Sequence, residues 1–484
     1  MTQSQSLKEK TAKGLLWGGI SNGGQQVLNL VFGIFLARQL SAADYGMVGM
    51  LTIFGLLATA LQESGFISAL NRKKDVTQAD YNAVFWFNIL CAGTLYILLA
   101  AAAPLIADFY HDPRLIPLAR LTFLSFLIAS FGTTPRAYLF RHMMVKQSAA
   151  MQLAAIFVSG VTGVTLAYCG FAYWGLAIQN IVYCLLTTVF AWWMSGWRPT
   201  LRIDLRPLRG MIGFSSRLLI TNVFTGINNN IFSIFFGSFY GDRQVGLYTQ
   251  ANKWTGQGYS FLIGMLWGVT QPAFARLTDD VERQRRVFRK MLRFVAFVSC
   301  PALFGLALIA PEFITILITE KWRDSIPLMQ MLCVGGAFIP IATFYSNYIV
   351  SQGRSQWFMF ITIALCVAQT LSAVLLRTEG VTAMVVVYVA LGILWVPVWH
   401  FFVRRLIGIS FRQALADILP FVVTAGTAAG VAWLVAQPVT DLYLSLVVKA
   451  AVAVAVYVAF MLLFRVVVFR ESVQYLAGVL RGKR

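Results

Sequence analysis

Charge is scarce in this sequence. Only 12% of its 484 residues are charged, and acids are rarer than bases: 19 Asp and Glu stand against 39 Lys and Arg, a net charge of +20. With 58% hydrophobic residues and a mean hydropathy of +0.71, the composition excludes an ordinary soluble domain. Histidine is represented by His111, His142 and His400 alone, each at or near the end of an apolar run and far from the others. No Ser, Cys or carboxylate constellation surrounds any of them, so nothing resembles a catalytic site and the chain is not read as an enzyme. The six cysteines (Cys91, Cys169, Cys184, Cys300, Cys333, Cys366) are scattered with no CxxC pair, and they read as small buried hydrophobes instead of a metal or redox site. No polar gap exceeds about twenty residues, which leaves no room for a soluble catalytic domain. The opening MTQSQSLKEKTAKG has no short apolar core with a cleavage site, so the first apolar run reads as a retained span.

What the chain has in abundance is long hydrophobic runs. About fourteen segments, most of them long enough to cross ~30 Å of hydrocarbon as helices, are separated by short gaps. They fall at 13–38, 44–70, 81–106, 115–139, 148–169, 172–194, 211–238, 245–275, 287–310, 325–350, 356–376, 380–403, 414–436 and 442–466. About 29 of the 39 Lys and Arg lie at the two termini and in the even-numbered gaps, about six lie in the odd-numbered gaps, and Arg120, Arg217, Lys253 and Lys449 lie inside segments. Cytoplasmic loops hold the excess of Lys and Arg, so both termini are expected in the cytoplasm. The same sorting explains the high net charge without nucleic acid: short juxtamembrane clusters meet the anionic leaflet, and membrane lipids are the partner they imply. The run TDDVERQRRVFRKMLRFV reads as an interfacial amphipathic helix, with Asp279 as cap and Glu282 completing a capping box.

The sequence also repeats itself. Shifted by 200 residues, VLNLVFGIF (27–35) overlays INNNIFSIF (227–235), Ser21-Asn22 overlays Thr221-Asn222, and Gly46 overlays Gly246. Shifted by 210, Ile116-Pro117-Leu118 overlays Ile326-Pro327-Leu328, and Gly170 overlays Gly380. The expected fold is therefore an all-α polytopic membrane protein with two parallel-repeat six-helix bundles, 1–210 and 211–412. Residues 413–484 add two further spans and a basic tail. Six spans per half bring both halves into the membrane from the same side, an arrangement that encloses a cavity and points to a transporter.

Polar residues inside the spans mark where such a cavity would be lined. Asn22, Gln25, Gln26 and Asn29 form one stripe of segment 1, and Asn222, Thr225, Gly226 and Asn229 repeat it in segment 7. Gln250, Lys253 and Gln257 share a face of segment 8, and Thr52, Gly55, Thr59 and Glu63 share one in segment 2. Interhelical hydrogen bonding competes with cavity lining as the use of the Asn and Gln side chains. Lys253, about eight residues into its segment, is the foremost candidate for an anionic head group such as a phosphate. Arg217 and Arg120 are further cationic candidates, Gln26, Asn29, Asn222, Asn229 and Gln250 are candidates for the remaining polar contacts, and Lys449 reads as a snorkelling residue. Glu63 is a candidate coupling site for Na+ or H+, although an ion pair with Arg72-Lys73-Lys74 would also satisfy it.

The opening SLKEKTAKGLLWGGISNGGQQVLNLVFGIFLARQLSAADYGMVGM resembles the start of bacterial polysaccharide exporters of the Wzx type. ESGFISALNRKKD, PAFARLTDD and ITEKWRDSIPLMQMLCVGG extend the resemblance, which is strongest from about 8 to 355 and nearest to the colanic-acid exporter branch of the multidrug/oligosaccharidyl-lipid/polysaccharide superfamily. The resemblance implies a flippase of the bacterial inner membrane that moves undecaprenyl-diphosphate-linked oligosaccharide repeat units to the periplasmic face by alternating access. It implies no cofactor beyond a coupling cation, and it implies a polysaccharide polymerase and a chain-length regulator as partners. The alternative within the superfamily is a cation-coupled drug or small-molecule antiporter, for which acids deep in one bundle would be expected; this chain's membrane acids are few.

Overall fold

The protein is described by a computed structural model covering residues 2–63, 70, 76–142, 144–201, 203–210, 223, 226, 230–275, 280–471 and 474. Every regular element among them is helical. Ten helical stretches are long and apolar enough to cross a membrane, and the shorter apolar stretches Ala42–Leu56 and Asn230–Tyr240 join them. Side chains such as Leu105, Leu375 and Leu463 are more than 70% exposed. That surface is untenable in water and suited to lipid, because helices satisfy every backbone polar group internally. The chain is a multi-pass membrane protein.

Two compact units divide the chain, Met1–Gly246 and Leu247–Arg484. The first contains α1 (Thr2–Gln39), α2 (Ala42–Glu63), α3 (Gln78–Tyr110), α4 (Leu115–Arg141), α5 (Val145–Tyr168), α6 (Ala172–Ser195) and α7 (Asn230–Tyr240). α4 packs against α2, α3, α5 and α6, and α1 lies along α5. Small residues set these spacings: a Cβ at Gly160 would collide with the Phe32 ring, and one at Gly132 would meet Thr188. α3 starts with a reciprocal cap in which the Asp80 amide donates to Thr77 Oγ1 and the Thr77 amide to Asp80 Oδ2. The segment after α6 is strapped across the start of α3: Trp197 Nε1 donates to Gln78 Oε1 at 2.8 Å, and the Thr200 amide to Asn82 Oδ1 at 2.9 Å.

α8 (Asp242–Ala275) starts in the first unit and continues into the second. The second unit continues with α9 (Val281–Leu308), α10 (Ala310–Ile318), α11 (Ile326–Gly336), α12 (Ile339–Ser351), α13 (Ser355–Leu375), α14 (Val381–Leu394), α15 (Val396–Ile407), α16 (Phe411–Ala436) and α17 (Leu442–Leu463). Its core is aromatic: Phe288 is fully buried against Phe344, Tyr345 and Tyr348, with ring centroids 4.8–5.3 Å apart. Apolar runs 325–350 and 380–403, each expected as one span, each correspond to one membrane-spanning stretch, Glu320–Ser351 and Val381–Ile407, whose helix is interrupted once, between α11 and α12 and between α14 and α15. Pro340 and Pro397 stand in the first turns of α12 and α15, where a missing amide hydrogen restarts a helix at no cost. α9 is capped by Asp280, whose carboxylate accepts from the Arg283 amide at 2.8 Å. The expected cap, Asp279, lies outside the described residues, and the helix is entered one residue later than expected.

Prolines inside spans leave carbonyls without their helical donor, and side chains from neighbouring helices supply replacements. Pro104 frees Ala100 O, and Arg120 Nε donates to it at 3.4 Å. Pro135 frees Phe131 O, and Trp192 Nε1 donates at 2.8 Å. Pro301 frees Phe297 O, and the Tyr457 hydroxyl donates at 2.9 Å. In hydrocarbon an orphaned carbonyl has no water to turn to, so each donor fixes a helix–helix register.

Candidate functional site

The polar stripe of α1 is described from Ser21 onward. Asn22, Gln26 and Asn29 are exposed along one face, while Gln25 turns its amide to Ser21 Oγ at 2.9 Å. This face is therefore not consumed by packing within the first unit. The matching residues Arg217, Asn222 and Asn229 lie outside the described residues. Glu63 ends α2, and its side chain too lies outside the described residues.

In the second unit, α8 carries Gln250 and Lys253 one turn apart. Gln250 is fully buried, and neither its amide nitrogen nor its carbonyl oxygen has a hydrogen-bond partner in the structure. Trp254 Nε1 is likewise buried and without a partner. The Lys253 Nζ lies 5.6 Å from the centre of the Trp254 ring, whose edge-to-face neighbour is Phe313 at 5.4 Å. An ammonium set against an indole face gains a cation–π attraction. Its helix is fixed from behind by Thr255, whose hydroxyl donates to Ala251 O at 2.9 Å and lies 3.4 Å from Cys333 Sγ on α11. This part of α8 therefore offers a cation, an indole and an unpaired amide on neighbouring turns, a set suited to an anionic, hydrogen-bonding head group. Arg120 is exposed and its guanidinium is partly engaged by Ala100 O.

Three charge constellations had no signature in the linear sequence. Glu312 of α10 is buried with Oε1 accepting from Lys449 Nζ at 2.6 Å and from Ser445 Oγ at 2.7 Å, both on α17. Lys449, expected to snorkel, is in fact paired within the protein. Only opposite charges in two separate apolar runs could have signalled it. Asp417 of α16 accepts from Arg289 Nε at 2.6 Å and lies 3.0 Å from Arg293 Nε, which clamps the added helix α16 onto the basic start of α9. At the turn between α3 and α4, Arg114 bridges Asp112 at 2.6 Å and Asp242 at 3.0 Å. The hydrogen bond from Arg114 holds the Asp112 carboxyl below the usual carboxylate range.

The histidines occupy separate settings. His111 closes α3 in a left-handed conformation, His142 stacks on Tyr138 with centroids 3.9 Å apart, and His400 is buried with Nδ1 3.3 Å from the Tyr345 hydroxyl. Among the described residues no group of three or more His, Cys, Asp or Glu is placed to hold a metal ion.

Comparison with known proteins follows the same architecture. The chain is 24% identical over 439 residues to the lipopolysaccharide biosynthesis protein WzxC of Escherichia coli (strain K12), covering 87% of each chain. It is 24% identical over 372 residues to the succinoglycan biosynthesis transport protein ExoT of Rhizobium meliloti (strain 1021), covering 76% of this chain and 75% of the relative. Its fold matches the solved structure of the lipid II flippase MurJ in an inward closed conformation with a TM-score of 0.77, at 14% identity, over 95% of this chain and 100% of that one. A family model described as "polysaccharide biosynthesis protein" matches residues 35–327, more than half of the chain. The chain is thus a member of the polysaccharide biosynthesis protein family of multi-pass membrane proteins.

Proposed function

We propose that this protein is a flippase for lipid-linked oligosaccharides. It moves undecaprenyl-diphosphate-linked repeat units from the cytoplasmic to the periplasmic face of a bacterial inner membrane by alternating access, for cell-surface polysaccharide biosynthesis. The observation that carries this reading is the family match over 35–327, in a chain whose relatives include a polysaccharide transport protein. The physical problem such a protein solves is desolvation. A sugar–diphosphate head group crossing hydrocarbon would leave many polar groups unsatisfied, at about 2–7 kcal/mol each. Gln26 and Asn29 on the exposed face of α1, with Gln250 on α8, offer replacement hydrogen bonds. Lys253 offers charge for the diphosphate, and Arg217, Asn222, Asn229 and Arg120 are assigned supporting contacts. Movement of the substrate makes and breaks no covalent bond, so no catalytic group is required.

In this reading both termini are cytoplasmic, because the clusters Arg72-Lys73-Lys74, Arg283–Arg293 and Arg404-Arg405 then all face the anionic leaflet. The two repeats are assigned to 1–210 and 211–412, with 413–484 as an appendix. Glu63 is assigned coupling to Na+ or H+, and a polymerase and chain-length regulator would receive the product. The test is deletion in the native bacterium with analysis of undecaprenyl-diphosphate-linked sugars and surface polymer. Loss of polymer with lipid-linked units retained on the cytoplasmic side supports the flippase. Unchanged polymer and lipid pools would replace it with drug or ion transport.

A further inference from the structure

In the sequence, residues 195–210 are a gap between two apolar runs, a connection that water would surround. The structure holds this segment elsewhere. Trp197 and Leu208 are both buried in one apolar cluster with Tyr81, Val84 and Phe85 of α3. Between these two anchors the chain lies alongside α3 and not beyond its end. Gln78 Nε2 donates to Arg198 O at 2.7 Å, the Thr200 amide donates to Asn82 Oδ1 at 2.9 Å, and Trp86 Nε1 donates to Thr200 O at 2.9 Å. Asn82 stands about one turn into α3 and Trp86 about two, both inside the apolar run 81–106. The segment is therefore level with the part of α3 that begins to cross hydrocarbon.

What it presents at that level is apolar. Leu201 is 89% exposed, Ile203 is 56% exposed, and Leu205 is exposed as well. In the sequence they alternate with Arg202, Asp204 and Arg206, the period of an extended amphipathic segment. Trp86 lies beside the segment, and Trp192 with the exposed Trp193 stands in the last turn of α6, rings of the kind that settle at the head-group level of a bilayer. Arg198 is exposed, with its guanidinium 5.7 Å over the Trp192 ring and Nη1 donating to Trp192 O and Trp197 O at 2.8 Å. Arg206 is exposed too, and Asp204 Oδ1 accepts from the Arg206 amide at 3.0 Å. From 198 to 209 four arginines face one aspartate, a net charge of +3. An apolar edge flanked by arginines, at the level of an aromatic belt, matches the boundary between acyl chains and anionic head groups.

We propose that residues 199–206 form an interfacial strap that docks on an anionic phospholipid leaflet. Leu201, Ile203 and Leu205 enter the acyl-chain region, and Arg198 and Arg206 meet phospholipid phosphates. The partner is the bilayer itself, so the inference holds whatever substrate is carried. Because the strap is hydrogen-bonded to Gln78 and Asn82, the charge of the leaflet acts on how the first turns of α3 are seated.

The experiment is photo-crosslinking of the full-length protein in phosphatidylcholine nanodiscs holding one copy each, so that no neighbouring copy can cover the strap. A trace of phosphatidylglycerol or of phosphatidylcholine carries a diazirine near the carbonyl end of its acyl chain, and the labelled peptides are mapped by mass spectrometry. Both lipids label 199–206 well above the charged turn 111–114, and phosphatidylglycerol labels it about threefold or more strongly than phosphatidylcholine. Arg206→Gln lowers that preference, and Leu201→Ser with Ile203→Ser lowers labelling by both lipids. Thermal unfolding of the variants close to that of wild type shows that the fold is retained. Labelling of the wild-type strap no higher than that of 111–114 puts it in water and overturns the proposal. Equal labelling by the two lipids removes the anionic partner and overturns it as well.

Discussion

Gly46 and Gly246 pack reciprocally: a Cβ on Gly46 would collide with the backbone of Asp242, and a Cβ on Gly246 would collide with the backbone of Ala42. The two contacts are related by the same 200-residue shift that relates the glycines in sequence. Both lie within the first unit, where the N-terminal turns of α2 and α8 meet. Only hydrogen fits at either position, because the obstacle is main chain that no side-chain rotation can move aside. Gly46→Ala and Gly246→Ala are each expected to destabilise the protein by about 1–3 kcal/mol, the usual range for overpacking. Thermal unfolding in detergent measures this; an unchanged midpoint for both variants would contradict the contact.

The buried pair of Glu312 and Lys449 makes a different demand. Removing one partner leaves an uncompensated charge in hydrocarbon, so Lys449→Met alone is expected to cost about 3–5 kcal/mol. Replacing both, as Glu312→Gln with Lys449→Met, is expected to recover much of that loss. A double-mutant cycle on unfolding midpoints reads the coupling, and strictly additive effects would dissolve the pair.

Tyr457 is expected to matter through Pro301. Tyr457→Phe orphans Phe297 O and is expected to cost about 1–3 kcal/mol. Pro301→Ala restores the missing amide donor at that carbonyl, so Tyr457→Phe should cost less in the Pro301→Ala background. The comparison needs only four unfolding curves.

Acid should loosen the turn between α3 and α4. The Asp112 carboxyl is held down chiefly by its hydrogen bond from Arg114, so its folded pKa lies below its unfolded one. Its contribution to stability is therefore present above the unfolded value of about 3.9 and is lost as pH falls through the folded value. Melting curves of wild type and Asp112→Asn should differ at neutral pH, and the difference should shrink as pH falls below the unfolded value of about 3.9 and through the lower folded one. A difference that grows on acidification would have the wrong sign.

Much of the fold was legible because hydrocarbon imposes a simple rule on sequence: a span must be long and apolar. One of the sequence correspondences has a related reason. Gly170 and Gly380, matched in sequence, both adopt positive φ, +83° and +95°, in the turns that start α6 and α14. Glycine meets such a turn without steric penalty, so the residue type survives in the sequence as a mark of geometry. The stripe on α1 was legible from its helical period. Pairings across the chain were not. Glu312 and Lys449 lie 137 residues apart, as do no other features that would suggest they meet. Arg120 reads as a spare cation until Pro104 is seen to leave Ala100 O without a donor.

The most direct test of the central claim is transport by the purified protein alone. Proteoliposomes would be loaded with an undecaprenyl-diphosphate-linked fluorescent saccharide, and its accessibility to an external quencher followed over time. The flippase reading expects protein-dependent equilibration of the lipid-linked sugar between leaflets, with a strongly reduced rate for Lys253→Ala at equal protein content. Equilibration no faster than in protein-free liposomes, with both candidate coupling-ion gradients supplied, would contradict it.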